Sequence, residues 1–97
     1  MIALWLDDLR EMPASFDVHV RTVEEAISLL RTGNVGSISF DHDLGTKLSG
    51  YDLATWIETE AEAGRLGRVV WAVHSSNAPG RQAIIAAMNS AERFWSQ

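Results

Sequence analysis

Three short apolar runs of this chain each end in polar or ionisable residues, and this repeated pattern constrains the fold most. The runs span residues 2–6, 38–40 and 69–73, and the residues that follow them are Asp7-Asp8, Asp41-His42-Asp43 and His74-Ser75-Ser76. Each run is apolar enough to be a buried strand, and each is followed sooner or later by a helix-like segment. The ligand crevice of an open α/β sheet lies at the carboxyl ends of its strands, so these polar residues are the first candidates for a site.

The length and composition indicate one ordinary globular domain. The chain has 97 residues, enough for a single domain over residues 1–97 but not for two. Hydrophobic residues make up 46% and charged residues 22%, which excludes a disordered chain. The absence of cysteine excludes disulfides, thiolate metal sites and cysteine nucleophiles. The first apolar run is too short for a signal peptide or a membrane span, so we expect a cytoplasmic protein without membrane contact.

The net charge bears on the class of ligand. Thirteen acidic residues against eight basic ones give a net charge of −5. Proteins that coat duplex nucleic acid rely on Lys and Arg to neutralise phosphates, so this role is excluded. A small phosphorylated ligand or a single RNA end is still permitted, because either needs only local positive charge.

The order of the predicted elements is β, loop, β, α, β, α, β, α. Residues 17–21 alternate polar and apolar, which is typical of an edge strand, and Thr22 with Glu25 matches a capping box that opens the first helix. The second helix is predicted over about 50–63, and the third from about Asn77 to Ala91. We predict a small three-layer α/β sandwich with a mainly parallel four-stranded sheet in the order 2-1-3-4.

The aspartates that follow the first and third apolar runs form a candidate metal site. Asp7, Asp8 and Asp41 would meet at neighbouring strand ends, where carboxylates repel one another unless a cation intervenes. Mg²⁺ binds such hard oxygen ligands, and Mn²⁺ is a possible substitute. Taken alone, the Asp7-Asp8 pair is equally consistent with solvated side chains in a turn. Asp43 has three possible roles: its carboxylate could bind the metal, its backbone carbonyl oxygen could bind the metal, or its side chain could only cap a turn.

Two histidines follow the third and fourth predicted strands. Imidazole titrates near neutral pH, so His42 and His74 would act as general base and general acid across the crevice. The alternative for either one is an ordinary packed or surface histidine. His19 lies on the alternating edge strand, where we expect it to face solvent without a functional role.

The start of the third helix is a candidate phosphate site. Ser75, Ser76 and Asn77 precede the free backbone N–H groups of that helix, which favour an anion. Arg81 lies in its first turn and Arg10 follows the acidic pair, so both guanidinium groups would bind phosphate oxygens. The alternative for Asn77 and its neighbours is plain helix capping.

Four segments of the chain resemble the cyclic-phosphate processing receiver domain, a small family related to response-regulator receivers. The segments are LWLDDLR, ISFDHDLG, SGYDLATWI and HSSNAPGRQAI, and together the resemblance covers nearly the whole chain. It implies a receiver-like, flavodoxin-like topology in which Asp7, Asp8 and Asp41 hold Mg²⁺ and Ser75 or Ser76 contacts phosphate. Ordinary receivers differ by a fifth strand that ends in a phosphate-binding lysine, and they lack the paired histidines.

Together these features favour metal-dependent processing of a cyclic phosphate, at an RNA end or in a cyclic nucleotide, by a phosphoesterase-type hydrolase. The alternative is a non-catalytic receiver-like module, of phage or mobile-element origin, that binds a phosphorylated ligand or a protein partner.

The fourth strand, residues 69–73, is an apolar sheet edge, for which we expect cover by the segment around Phe94-Trp95 or a homodimer.

Overall fold

The computed structural model describes residues 1–97 and contains one parallel four-stranded sheet with three helices. The elements are, in chain order, β1 (Ile2–Leu6), β2 (Val18–Val20), α1 (Val23–Leu30), β3 (Val35–Phe40), α2 (Gly50–Glu62), β4 (Val70–Val73) and α3 (Ala78–Trp95). The sheet order is β2-β1-β3-β4, and every neighbouring pair is parallel. The predicted receiver-like α/β class, strand order and strand direction are therefore confirmed.

The helices begin where the sequence signals indicate. The Thr22 hydroxyl accepts the backbone N–H of Glu25, whose carboxylate accepts the N–H of Thr22, so the predicted capping box is formed. The Asn77 side chain caps α3 by accepting the N–H of Gly80. α3 extends past the predicted end at Ala91, because its last turn is tied down where the Trp95 indole donates to the Leu66 carbonyl.

One face of the sheet, here called the helix face, carries the hydrophobic core. Side chains alternate along each strand, so Leu4, Leu6, Ile38 and Phe40 point to the same side, and all four are almost completely buried. They belong to a single core cluster with buried residues of α1, α2 and α3. Because α2 packs against both other helices, all three helices lie on this face.

The opposite face carries no helix and is here called the open face. Its side chains come from the alternate strand positions, namely Ala3, Trp5, Ser37, Ser39, Val70 and Ala72. The irregular segment 7–17 covers part of this face, where Phe16 packs edge-on against Trp5 with ring centroids 5.0 Å apart. Val70 is 56% exposed beyond that cover. The third layer of the predicted sandwich is therefore an irregular segment rather than a helix, and it is incomplete.

The fourth strand lies at the sheet edge, as the predicted strand order 2-1-3-4 implies. Phe94 and Trp95 pack against the core near the start of this strand. Glu92 of α3 accepts the indole N–H of Trp71 and pairs with Arg68. The C-terminal segment thus fastens α3 to the beginning of β4. None of the three helices has the length and apolar character that crossing a membrane requires.

Candidate functional site

The register of the sheet brings the predicted site residues together on one side. Trp5 is paired with Ser39, and Ser39 with Ala72, so these three side chains form a row across the open face. Two residues further along each strand, the same alternation places Asp7, Asp41 and His74 on that side. The backbone pairing continues to this point, since Asp41 N–H donates to the Leu6 carbonyl and His74 N–H to the Phe40 carbonyl.

Asp7, Asp8 and Asp41 form the carboxylate cluster. One oxygen of each lies within 4.8 Å of the others. Asp7 is completely buried and Asp41 is 8% exposed, whereas Asp8 is half-buried and makes no side-chain hydrogen bond. These are three hard oxygen donors from two adjacent strand ends, which is a donor set that fits Mg²⁺ or Mn²⁺. The predicted convergence of the three aspartates is present in the structure.

The carboxylate of Asp7 is fixed by hydrogen bonds on both oxygens. Its Oδ1 accepts the backbone N–H groups of Leu9 and Arg10, each at 2.8 Å, and its Oδ2 accepts the His74 Nε2–H at 2.9 Å. Burial alone would raise the pKa of Asp7, but these backbone bonds and the contact with His74 hold that pKa below its ordinary value. Asp7 is therefore a buried, charged group in a fixed orientation.

Arg10 supplies the positive charge of the site. Its Nη1 lies 3.4 Å from Asp7 Oδ2 and 3.6 Å from Asp41 Oδ2, and it donates to the His74 carbonyl at 2.7 Å. Its Nη2 lies 3.5 Å from the hydroxyl oxygen of Ser76. The guanidinium therefore joins the ends of β1, β3 and β4. The sequence predicted Arg10 as a phosphate ligand, whereas in the structure its closest anions are the protein's own aspartates.

His74 has a partner on each ring nitrogen. Its Nε2–H donates to Asp7, and its Nδ1 accepts the hydroxyl of Ser39 at 2.8 Å. The ring stacks on the indole of Trp5 with centroids 3.8 Å apart and planes 3° from parallel. Burial lowers the pKa of His74 below its ordinary value, although the Asp7 charge acts in the opposite direction. The neutral ring orients Asp7, and neither nitrogen is free for the proton transfer that the sequence predicted.

His42 is oriented differently. Its Nδ1–H donates to the carboxylate of Asp43 at 2.9 Å, and its Nε2 has no partner within the protein. Asn77 donates to the same carboxylate, and the bonds from His42 and Asn77 lower the pKa of Asp43. The ring rests on Gly80 at the start of α3. A histidine with Nδ1 held by a carboxylate and Nε2 free has the geometry of a general base.

A cleft of about 400 Å³ lies over the carboxylate cluster. Eight residues line it: Asp7, Asp8, Leu9, Arg10, Asp41, Asp43, Gly45 and Ser76. Only one of these residues, Leu9, is hydrophobic, and five carry a charged side chain, which suits a charged ligand such as a phosphate ester. Asp43 therefore belongs to the cleft wall but not to the cluster of three aspartates, and His42 lies behind it at the edge.

The predicted residues around the start of α3 take separate places. Ser76 is exposed and reaches the cleft, whereas the Ser75 hydroxyl accepts the N–H of Asn77 and shapes the turn. Asn77 caps α3 and binds Asp43. Arg81 is exposed and lies outside the cleft lining. Of these four residues, only Ser76 is placed to touch a ligand over the carboxylate cluster.

Three residues that support the site carried no functional prediction. Trp5 and Ser39 hold His74, and the His19 Nε2–H donates to the Asp7 carbonyl at 2.8 Å, so His19 is half-buried instead of facing solvent. A sequence signal for Trp5 and Ser39 exists, because each stands two residues before a clustered aspartate, and side chains two apart on a strand share a face.

A family model described as the cyclic-phosphate processing receiver domain matches residues 2–90 of this chain. The match covers all four strands and most of α3, and it includes every site residue named above. No curated protein and no solved structure matches the chain significantly.

Proposed function

The chain belongs to the family of cyclic-phosphate processing receiver domains, and from this membership we propose that it opens a cyclic phosphate ester with the help of a divalent cation. The substrate class is a cyclic nucleotide or the cyclic phosphate at an RNA end. The net charge of −5 favours such a small ligand over a long duplex. A cytoplasmic location is part of this proposal.

One observation carries this proposal, namely that three carboxylates, a guanidinium and a hydroxyl share one cleft. Asp7, Asp8 and Asp41 would hold Mg²⁺ or Mn²⁺. Arg10 and Ser76 lie on the side of the same cleft and would bind non-bridging phosphate oxygens. A bound divalent cation would polarise the phosphate and promote ionisation of a water molecule.

The protein's own groups would handle the protons. In ring opening, water forms a new bond to phosphorus, one of the two ring ester bonds breaks, and the freed oxygen takes a proton. His42 would accept the proton of the attacking water at Nε2 and return it to the leaving oxygen, while Asp43 holds Nδ1. His74 would act only by fixing the charged Asp7 carboxylate. This assignment gives the two histidines different tasks.

A second function, binding without catalysis, is favoured by the positions of the histidines. Both nitrogens of His74 are engaged, and His42 lies at the edge of the cleft rather than in its lining. A site with these features would still hold a phosphorylated ligand through the cation, Arg10 and Ser76. It would then serve as a receiver-like module that presents the ligand to a protein partner.

The test is incubation of the protein with 2′,3′-cyclic and 3′,5′-cyclic nucleotides in Mg²⁺ or Mn²⁺, followed by ³¹P NMR. We expect conversion to a phosphomonoester, and we expect His42→Ala to lower the rate about 10²-fold or more without weakening ligand binding. Asp8→Asn is the control for contaminating esterases. It removes a proposed metal ligand without breaking a structural hydrogen bond, so activity that persists in this variant would come from a contaminant. A ligand that binds in Mg²⁺ and is recovered unchanged would favour the binding module.

A further inference from the structure

Arg10 lies within the carboxylate cluster and contacts two of its members. Its Nη1 lies within 3.6 Å of both Asp7 Oδ2 and Asp41 Oδ2. Arg10 is also the only basic residue among the eight that line the cleft. Without a metal ion, this guanidinium is therefore the group that offsets the mutual repulsion of the aspartates.

The two oxygens that Arg10 contacts belong to aspartates that would hold the divalent cation at the proposed metal site. Asp7 Oδ1 is taken by two backbone N–H groups, and Asp41 Oδ1 accepts the N–H of His42. Asp41 Oδ2 has no other protein partner, and Asp7 Oδ2 accepts only the His74 Nε2–H besides its contact with Arg10. A guanidinium and a divalent cation that compete for the same oxygens repel each other when both are present.

The backbone of Arg10 is anchored while its side chain is free to move. Its N–H donates to Asp7, and its carbonyl accepts the indole N–H of Trp5. The side chain is 43% exposed. The guanidinium can therefore leave the carboxylates without unfolding any packed element, and Ser76 lies beside its Nη2.

We propose that Arg10 is the resident cation of the metal-free site, that a divalent cation displaces it, and that the displaced guanidinium binds the phosphate. Cation and phosphate binding are then coupled through one side chain. In the metal-free protein, aspartates occupy the Arg10 guanidinium, which is the only one in the cleft. A bound divalent cation would add positive charge to the cleft and release Arg10 from the aspartates. This inference rests on the proposed metal site but not on catalysis.

The first test is calorimetric titration of Mg²⁺ into metal-free wild type and into Arg10→Gln. Removal of a like charge next to the bound ion is expected to tighten Mg²⁺ binding by about fivefold or more. Arg93→Gln is the matched control, because it makes the same charge change at an exposed position near the end of α3 and should leave the affinity within about twofold, as expected for a screened distant charge.

The outcomes of that titration separate this inference from the proposed function. Tighter binding in Arg10→Gln alone supports the competition. Equal or weaker binding in Arg10→Gln overturns the competition and leaves the metal site intact. If neither protein binds Mg²⁺ or Mn²⁺, the metal site and the competition are both overturned.

A second measurement begins with the wild-type protein, so its NMR part does not depend on a variant that folds. In ¹⁵N NMR spectra, Mg²⁺ should shift the side-chain Nε–H signal of Arg10 and leave that of Arg93 unchanged. Inorganic phosphate should bind more tightly when Mg²⁺ is present, and Arg10→Gln should lose most of this enhancement, whereas Arg10→Lys should retain part of it. An Arg10 signal that Mg²⁺ does not affect would overturn the proposal.

Discussion

The two faces of the sheet differ in what they contribute to this protein. The helix face is closed by three helices over buried aliphatic and aromatic side chains such as Leu4 and Phe40. The open face is partly covered by an irregular segment and combines small residues with Trp5, Ser39 and His74. Asp7 and Asp41 continue the open face at its carboxyl end. The site is therefore built on the less covered face, while the other face packs against the helices in the hydrophobic core.

This division has a physical reason. A charged site needs polar neighbours that orient its carboxylates, and such neighbours are costly in a core of aliphatic side chains. On the open face, the Ser39 hydroxyl and the His74 ring satisfy each other and Asp7, and no buried side-chain nitrogen or oxygen is left without a partner. The helix face can then remain entirely apolar below the site.

The largest expected contrast between the faces is in stability. Leu4→Ala, in the completely buried layer, should lower the free energy of unfolding by about 2–5 kcal/mol. Val70→Ala is the matched change on the open face and should cost less than about 0.5 kcal/mol, because this side chain is mostly exposed. Urea denaturation measures both values. Similar losses in the two variants would mean that the open face is covered in solution.

The next effect separates two neighbouring aspartates. Asp7→Asn should lower metal-free stability by about 1–3 kcal/mol, because the new amide cannot accept all the N–H donors that surround Asp7. Asp8→Asn should leave metal-free stability nearly unchanged, since the Asp8 side chain has no hydrogen bond to lose. Both variants should lose the thermal stabilisation that Mg²⁺ gives to the wild type. Undiminished stabilisation in Asp8→Asn would contradict a three-aspartate site.

A smaller effect concerns pH and the neutral state of His74. Burial lowers its pKa in the folded protein below the ordinary 6.5, so the unfolded chain binds more protons at mildly acidic pH. The free energy of unfolding of the metal-free protein should therefore be highest above pH 6.5. It should fall as the pH drops from there toward the pKa of His74 in the folded protein. His74→Gln should flatten this dependence in the same denaturation assay. A wild type whose stability does not change across this window would contradict the neutral ring.

The smallest effect on stability is expected at the exposed strand edge. We propose that two copies associate across β4, whose Val70 is exposed at the edge of the sheet. Val70→Lys should shift such a dimer to a monomer in analytical ultracentrifugation while changing monomer stability by no more than about 0.5 kcal/mol. A wild type that stays monomeric at the highest attainable concentration would refute the association.

Much of the fold could be predicted from the sequence because its signals are local. Apolar runs, the Thr22 capping box and the Asn77 cap indicate where strands and helices lie, and the rules for parallel sheets supply the order. The incomplete third layer could not be predicted in this way. Apolar residues occupy the open-face positions of β1 and β4, namely Ala3, Trp5, Val70 and Ala72. Both strands therefore look as if they were buried on both sides, although apolar side chains are also common on protein surfaces.

The candidate site was predictable in its acidic part and less so in its support. The convergence of Asp7 with Asp41 follows from two neighbouring strands that end in aspartate. The task of His74 depends on Ser39 and Asp7, which lie 35 and 67 positions away in the chain, so no local pattern indicates it. The contact of Arg10 with the aspartates likewise depends on the path of segment 7–17, for which the sequence offers no regular pattern.

Two glycines set how closely the helices approach the site. A methyl group at Gly50 would overlap the Asp41 carbonyl oxygen, and one at Gly80 would overlap the ring of His42. The first turns of α2 and α3 therefore touch the loop that carries Asp41 and His42, with no room for any larger residue. The aspartates alone are thus an insufficient signature. A search for this site in other sequences should therefore require glycine at both helix starts. A transplant of the site into another scaffold should include both glycines as well.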